Sequence, residues 1–103
     1  NSHLQEIALI NNGNIFAKPK IQIFGAGDIA VAINGNDVLE IELGVQGSVI
    51  IDAEQMEAYN ATGLKNRLVS GNYENIILDI GRNTLGFSGN VSKVVISNYS
   101  RWI

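Results

Sequence analysis

The sequence predicts an all-β domain, an antiparallel β-sandwich or barrel. Three observations carry that reading. Glycine (11 residues) and asparagine interrupt the chain at short intervals. Between them lie runs of roughly four to eight residues rich in Ile, Val and Leu. No window sustains a helical period, although residues 53–58 allow a single helical turn.

Taken in order, Glu6-Ile7-Ala8-Leu9-Ile10 is the first strand, and Asn11-Asn12-Gly13-Asn14 ends it as a turn using positive φ. Pro19 suits the start of a strand or a sheet edge, where no ladder donor is needed. Lys20-Ile21-Gln22-Ile23-Phe24 alternates, with Ile21 and Ile23 facing inward. Gly25-Ala26-Gly27-Asp28 is expected to turn the chain. Ile29, Val31 and Ile33 then face the core, leaving Ala30 and Ala32 on a thin outer face.

Asn34-Gly35 is the clearest hairpin signal, because a type I′ turn needs φ > 0 at both central residues. Leu39, Ile41 and Leu43 point in from the next strand, and Glu40 and Glu42 point to water. Gly44-Val45-Gln46-Gly47 turns the chain into Ser48-Val49-Ile50-Ile51-Asp52-Ala53-Glu54, an apolar strand with a sharp acidic break where Asp52 caps the corner. A second short strand runs toward Tyr59-Asn60, and Ala61-Thr62-Gly63 turns again.

Residues 64–69 read as a strand with one wet face, and Ser70-Gly71-Asn72 as a turn. In residues 76–80, Ile76, Leu78 and Ile80 are expected to point in. Gly81-Arg82-Asn83 reads as a tight structural turn and Ser88-Gly89-Asn90 as a hairpin turn. The last strand spans about residues 91–99.

The 103 residues fit one domain, and Asn1-Ser2-His3 resembles a cloning remnant. With 46% hydrophobic and 17% charged residues, the composition is that of a globular chain rather than a disordered one. There is no cysteine, which excludes disulfides and thiolate metal sites. The net charge of −3 and seven scattered Lys and Arg argue against a nucleic-acid partner. No apolar run approaches the roughly 20 residues of a membrane helix.

No motif points to catalysis, a cofactor or a metal. Gly25-Ala26-Gly27-Asp28-Ile29-Ala30 matches the dinucleotide fingerprint, but Asn34-Gly35 arrives too soon for the helix that fingerprint requires. His3 is the sole histidine, so no triad or His-based metal site has a second member. Asp52, Glu54 and Glu57 cluster in sequence, as paired acid–base carboxylates would. Asp28, Asp37 and Asp79 lie in or near turns, as calcium ligands would. No spacing matches a calcium loop, and turn-capping Asp with strand-wetting Glu accounts for all six. The sequons at Asn60, Asn90 and Asn98 carry no weight without a secretory signal. Tyr59, Tyr73, Tyr99 and Trp102 are the candidate contact residues for a ligand or partner, since aromatic faces stack on sugars and anchor interfaces; packing competes with both roles.

Several stretches in sequence order resemble one family. They are Asn11-Asn12-Gly13-Asn14, then Ala17-Lys18-Pro19-Lys20-Ile21-Gln22-Ile23, then Gly47-Ser48-Val49-Ile50-Ile51-Asp52-Ala53-Glu54. Asn66-Arg67-Leu68, Ser70-Gly71-Asn72-Tyr73, Ile80-Gly81-Arg82-Asn83-Thr84-Leu85 and Tyr99-Ser100-Arg101-Trp102-Ile103 follow. Together they resemble the C-terminal domain of the distal tail protein of long-tailed siphophages, with residues 54–63 departing from the pattern.

The resemblance implies the sandwich, a galectin-like or carbohydrate-module-like jelly roll forming the C-terminal half of a longer tail protein. It implies a non-enzymatic structural module of a phage or prophage tail baseplate. The parent would form a hexameric ring and this domain alone a monomer. Partners would be tail-tube and tail-tip proteins and receptor-binding arms, in a virion assembled in the bacterial cytoplasm. A carbohydrate-binding module for host surface glycan is the alternative; fold kinship alone does not grant binding.

Overall fold

The computed structural model describes residues 5–45 and 47–97 and is antiparallel β throughout, with two short 3-10 turns. The strands are β1 (Gln5–Asn11), β2 (Lys20–Ile33), β3 (Asn36–Gly44), β4 (Ser48–Asp52), β5 (Glu57–Asn60), β6 (Gly63–Leu64), β7 (Val69–Gly71) and β8 (Gly81–Ser97). The 3-10 turns are Asn66–Leu68 and Tyr73–Asn75.

Two long strands organise the molecule. β2 has 14 residues, β8 has 17, and they pair along most of their length. The later half of β2 joins β3 on one side and the first half of β8 on the other, with β1 and β7 outside them. The earlier half of β2 pairs β4 and the last residues of β8, with β5 and β6 beyond. The β2–β8 ribbon therefore belongs to two half-sheets. Their inner residues, Ile21, Ile23, Val49 and Ile51 from one and Val31, Leu39, Ile41 and Phe87 from the other, form a single buried cluster. Strands that pass from one sheet to another through bulges build sandwich corners in this way.

The bulges correct two sequence expectations. Gly25-Ala26-Gly27-Asp28 does not turn the chain, and Ser88-Gly89-Asn90 is not a hairpin. Both lie inside continuous strands where the register slips. Phe24 faces Lys93 and Gly25 faces Val91, so Ser92 is the extra residue of β8. Its hydroxyl donates to the Phe24 carbonyl at 3.1 Å. One extra residue reverses side-chain parity. Leu85, Phe87 and Val91 are buried before the slip, and Val94 and Ile96 pack against the core after it. On β2, Gly27 and Asp28 are extra between the pairs Ala26–Asn90 and Ile29–Gly89. Adding two residues keeps the parity, so Ile21, Ile23, Ile29, Val31 and Ile33 all point inward. Glycine cannot signal whether it ends a strand or bulges it, because its conformational freedom serves both.

The Asn34-Gly35 hairpin forms with φ of 52° and 87°. Glu40 and Glu42 are exposed opposite buried Leu39, Ile41 and Leu43. Pro19 lies just before β2, and its carbonyl accepts from Ala53 N at 3.2 Å. Asp52 Oδ1 accepts from Gln55 N at 3.1 Å, closing the β4–β5 turn where Met56 takes a φ of 57°. Asp52→Ala is expected to cost about 0.5–2 kcal/mol in a thermal melt, as for a lost cap, and an unchanged melt would remove that role.

Other departures trace to side-chain amides. Asn11-Asn12-Gly13-Asn14 closes without positive φ, because the buried Asn11 accepts from Gly13 N and donates to Ile15 and Leu78 carbonyls. Residues 64–69 are not one strand: β6 ends at Leu64, the Asn66–Leu68 turn intervenes, and Asn66 Oδ1 takes the Ala58 N–H at 2.6 Å. Ser70-Gly71-Asn72 is no turn, since Val69–Gly71 pairs with β3 and Asn72 N donates to Val38 O. Residues 76–80 form no strand; Leu78 makes an isolated bridge to Ala17. Ile76 and Leu78 are buried as expected, but Ile80 is 59% exposed. Gly81 and Asn83 open β8 rather than forming a tight turn, with Asn83 closing the preceding bend from inside. Tyr99 and the other residues past Ser97 lie outside the described residues.

Candidate functional site

Among the sequence-proposed contacts, Tyr59 and Tyr73 separate. Residues facing each other in antiparallel strands share a face of the sheet. Tyr59 faces Ile50 and Leu64, outward on the second half-sheet, because its neighbour Ala58 faces Ile51 in the core. Tyr73 packs against the core from the Tyr73–Asn75 turn, and its phenol oxygen is buried without a hydrogen-bond partner. Tyr99 and Trp102 lie outside the described residues.

Burial, and next the Glu57 carboxylate, push the Tyr73 phenol above its usual value. The folded chain therefore holds this proton more tightly than the unfolded one. Its contribution to stability is present below about pH 10 and lost as pH rises beyond it. Tyr73→Phe is expected to remove that alkaline fall in urea melts. By deleting an unsatisfied buried hydroxyl it should leave neutral-pH stability unchanged or higher by about 1 kcal/mol. A loss of stability at neutral pH would mean the hydroxyl has a partner.

The face that carries Tyr59 gathers several outward apolar side chains into one cross-strand row. Val95, Gln22, Ile50, Tyr59 and Leu64 stand opposite one another in turn across β8, β2, β4, β5 and β6. At about 4.8 Å per strand the row spans roughly 19 Å. Leu64 is 66% exposed and Val95 43%, so the row ends in open hydrophobic side chains. Beside it run Lys93, Phe24 and Ser48, with the Lys93 ammonium 5.5 Å from the Phe24 ring centroid, within cation–π range. On the other side run Ser97, Lys20, Asp52 and Glu57, where Lys20 and Asp52 pair at 3.9 Å. Asn60 ties the β4 and β5 ends together, its Nδ2 donating to Ser48 O at 3.0 Å. That amide is engaged in structure at the first sequon.

The sequence signal for this face was incomplete. Alternation in residues 20–24 turns Gln22 and Phe24 outward. Ile50 and Val95, however, sit in continuous apolar runs, where a period of two assigns no face. That Val95, Gln22 and Tyr59 share a row depends on long-range register.

The sequence-proposed carboxylates do not assemble a site. Asp52 is held by Lys20 and the turn, Glu57 is its cross-strand neighbour, and Glu54 is on the exposed turn. A shallow groove of about 400 Å³ crosses the outer face of the other half-sheet, lined by Asp28, Glu40, Glu42, Ser70 and Ser88 over Ala30 and Gly89. Its field favours cations and repels phosphate. Among the described residues no group of three or more His, Cys, Asp or Glu could hold a metal ion. No helix among them is long and apolar enough to cross a membrane. No protein-family model, curated protein or solved structure matches this chain.

Proposed function

We propose that this domain is a non-enzymatic structural module of a phage tail baseplate, the outer domain of a distal tail protein, and that it works by docking neighbouring proteins. The observation that supports this most is the Val95–Gln22–Ile50–Tyr59–Leu64 row. Four of its five members are apolar or aromatic, and an outward tyrosine among aliphatic side chains is the kind of anchor that interfaces favour. The charges beside the row balance, Lys20 and Lys93 against Asp52 and Glu57, so the face presents little net charge. The order of the family-like stretches and the all-β fold are consistent with the same reading, including kinship to galectin-like jelly rolls.

The size of the face fits a hub. The central row crosses five strands and its flanking rows three and four, giving roughly 200 Å² of flat area, below the roughly 800 Å² per partner of a standard stable interface. One copy would bind weakly. A hexameric parent would present six such faces and gain by avidity. Tail-tip proteins and receptor-binding arms in the virion are partners of that kind.

The glycan-binding alternative keeps Tyr59 beside Gln22 and Ile50 but loses Tyr73, whose hydroxyl is turned into the protein. Two measurements separate the readings. The longer protein bearing this sequence should form hexameric rings by electron microscopy, with the isolated domain monomeric by light scattering. A panel of neutral oligosaccharides should give no binding; saturable binding lost in Tyr59→Ala would reverse the order of the two readings.

A further inference from the structure

Asparagine followed by glycine is prone to self-cleavage of its side-chain amide, because a glycine nitrogen without a flanking Cβ can reach the preceding Cγ. Asn34-Gly35 is such a pair, exposed at the β2–β3 hairpin tip. Its amide is nevertheless held at both ends. Asn34 Nδ2 donates to Asn83 Oδ1 at 3.1 Å, and Asn34 Oδ1 accepts from Thr84 N at 2.8 Å. The side chain thus reaches across to β8 instead of folding back over Gly35. Asn83 is itself buried and fixed by bonds to Asp79 and Gly81.

We propose that Asn34-Gly35 is a latent modification site, a deamidation switch kept shut by its bonds to Asn83 and Thr84. When the corner opens, Gly35 N gives its proton to solvent base and bonds to Asn34 Cγ. The Cγ–Nδ2 bond breaks, ammonia leaves, and a five-membered succinimide remains. Water then adds to either ring carbonyl, giving aspartate or an isoaspartyl linkage. The product cannot close the corner again. A carboxylate has no N–H for Asn83 Oδ1, and the isoaspartyl route adds a backbone methylene to a turn built for two residues with φ of 52° and 87°. A reversible local opening becomes a permanent one.

Peptide mapping of the whole chain, incubated at mildly alkaline pH with and without urea, tests this. Conversion at Asn34 is expected to be at least ~10-fold slower in the folded chain, because it must wait for opening. Asn34→Asp, which mimics one product, is expected to fold with a lower melting temperature. Equal conversion rates in the folded and unfolded chains would overturn the proposal, as would an Asn34→Asp variant that melts like wild type.

Discussion

Gly89→Ala is expected to cost about 2–6 kcal/mol, a large share of the roughly 5–15 kcal/mol that holds an ordinary domain folded. Two terms add. Gly89 has a φ of 104°, where an L side chain is strained by about 1–3 kcal/mol. A Cβ there would also lie 2.3 Å from the Asp28 carbonyl oxygen. That atom is backbone in the paired strand, so relief requires the β2–β8 ribbon to separate, at about 1–3 kcal/mol more. Gly27 is the control. Its φ is 73°, but a Cβ there meets nothing within 4 Å. Gly27→Ala is expected to cost only about 1–2 kcal/mol, from backbone strain alone. Urea melts of the two variants should differ clearly. Matching melts would mean that the strands do not approach at the crossing.

Asn83→Ala is the second large effect, expected at about 2–4 kcal/mol in the same melts. Asn83 is 1% exposed, and its amide accepts from Asp79 N at 3.0 Å and donates to Asp79 O at 2.8 Å and Gly81 O at 3.2 Å. Truncation leaves these backbone groups and Asn34 Nδ2 without their partner, and a buried polar group stranded in this way costs more than a surface contact. Asn34→Ala removes an exposed group and should cost about 1 kcal/mol. Because the two amides bond to each other, the double variant should be milder than the sum of the singles by about 0.5 kcal/mol or more. Strict additivity would show that they do not act together.

These two residues also mark where the sequence was legible. Alternation placed Ile21, Ile23, Leu39, Ile41 and Leu43 in the core, since a half-buried strand writes its faces at a period of two. Asn34-Gly35 was legible because few sequences tolerate two positive φ angles in succession. Gly25, Gly27 and Gly89 were read as turns but sit in unbroken strands. What separates the outcomes is whether a partner strand lies opposite, as Asn90 does for Ala26, and that partner is 64 positions away in sequence. Asn83 was legible as structural, yet its burial depends on residues 34 and 79 closing around it. Of the candidate site, Tyr59 could be named from its type. Its row-mates Val95, Gln22 and Leu64 belong to three other strands, so no local pattern could collect them.

The most direct measurement of the proposed tail role is binding of an immobilised domain to the tail-tip protein proposed as its partner, by interferometry, for wild type and for Tyr59→Asp/Leu64→Asp. Both substitutions place charge on the exposed row and leave the core untouched, so the variant should keep the wild-type circular dichroism spectrum. The expected result is weak, saturable binding by the wild type that the folded variant loses at least ~10-fold, the scale set by removing central apolar anchors. Binding unchanged in the variant would contradict a docking role for this face.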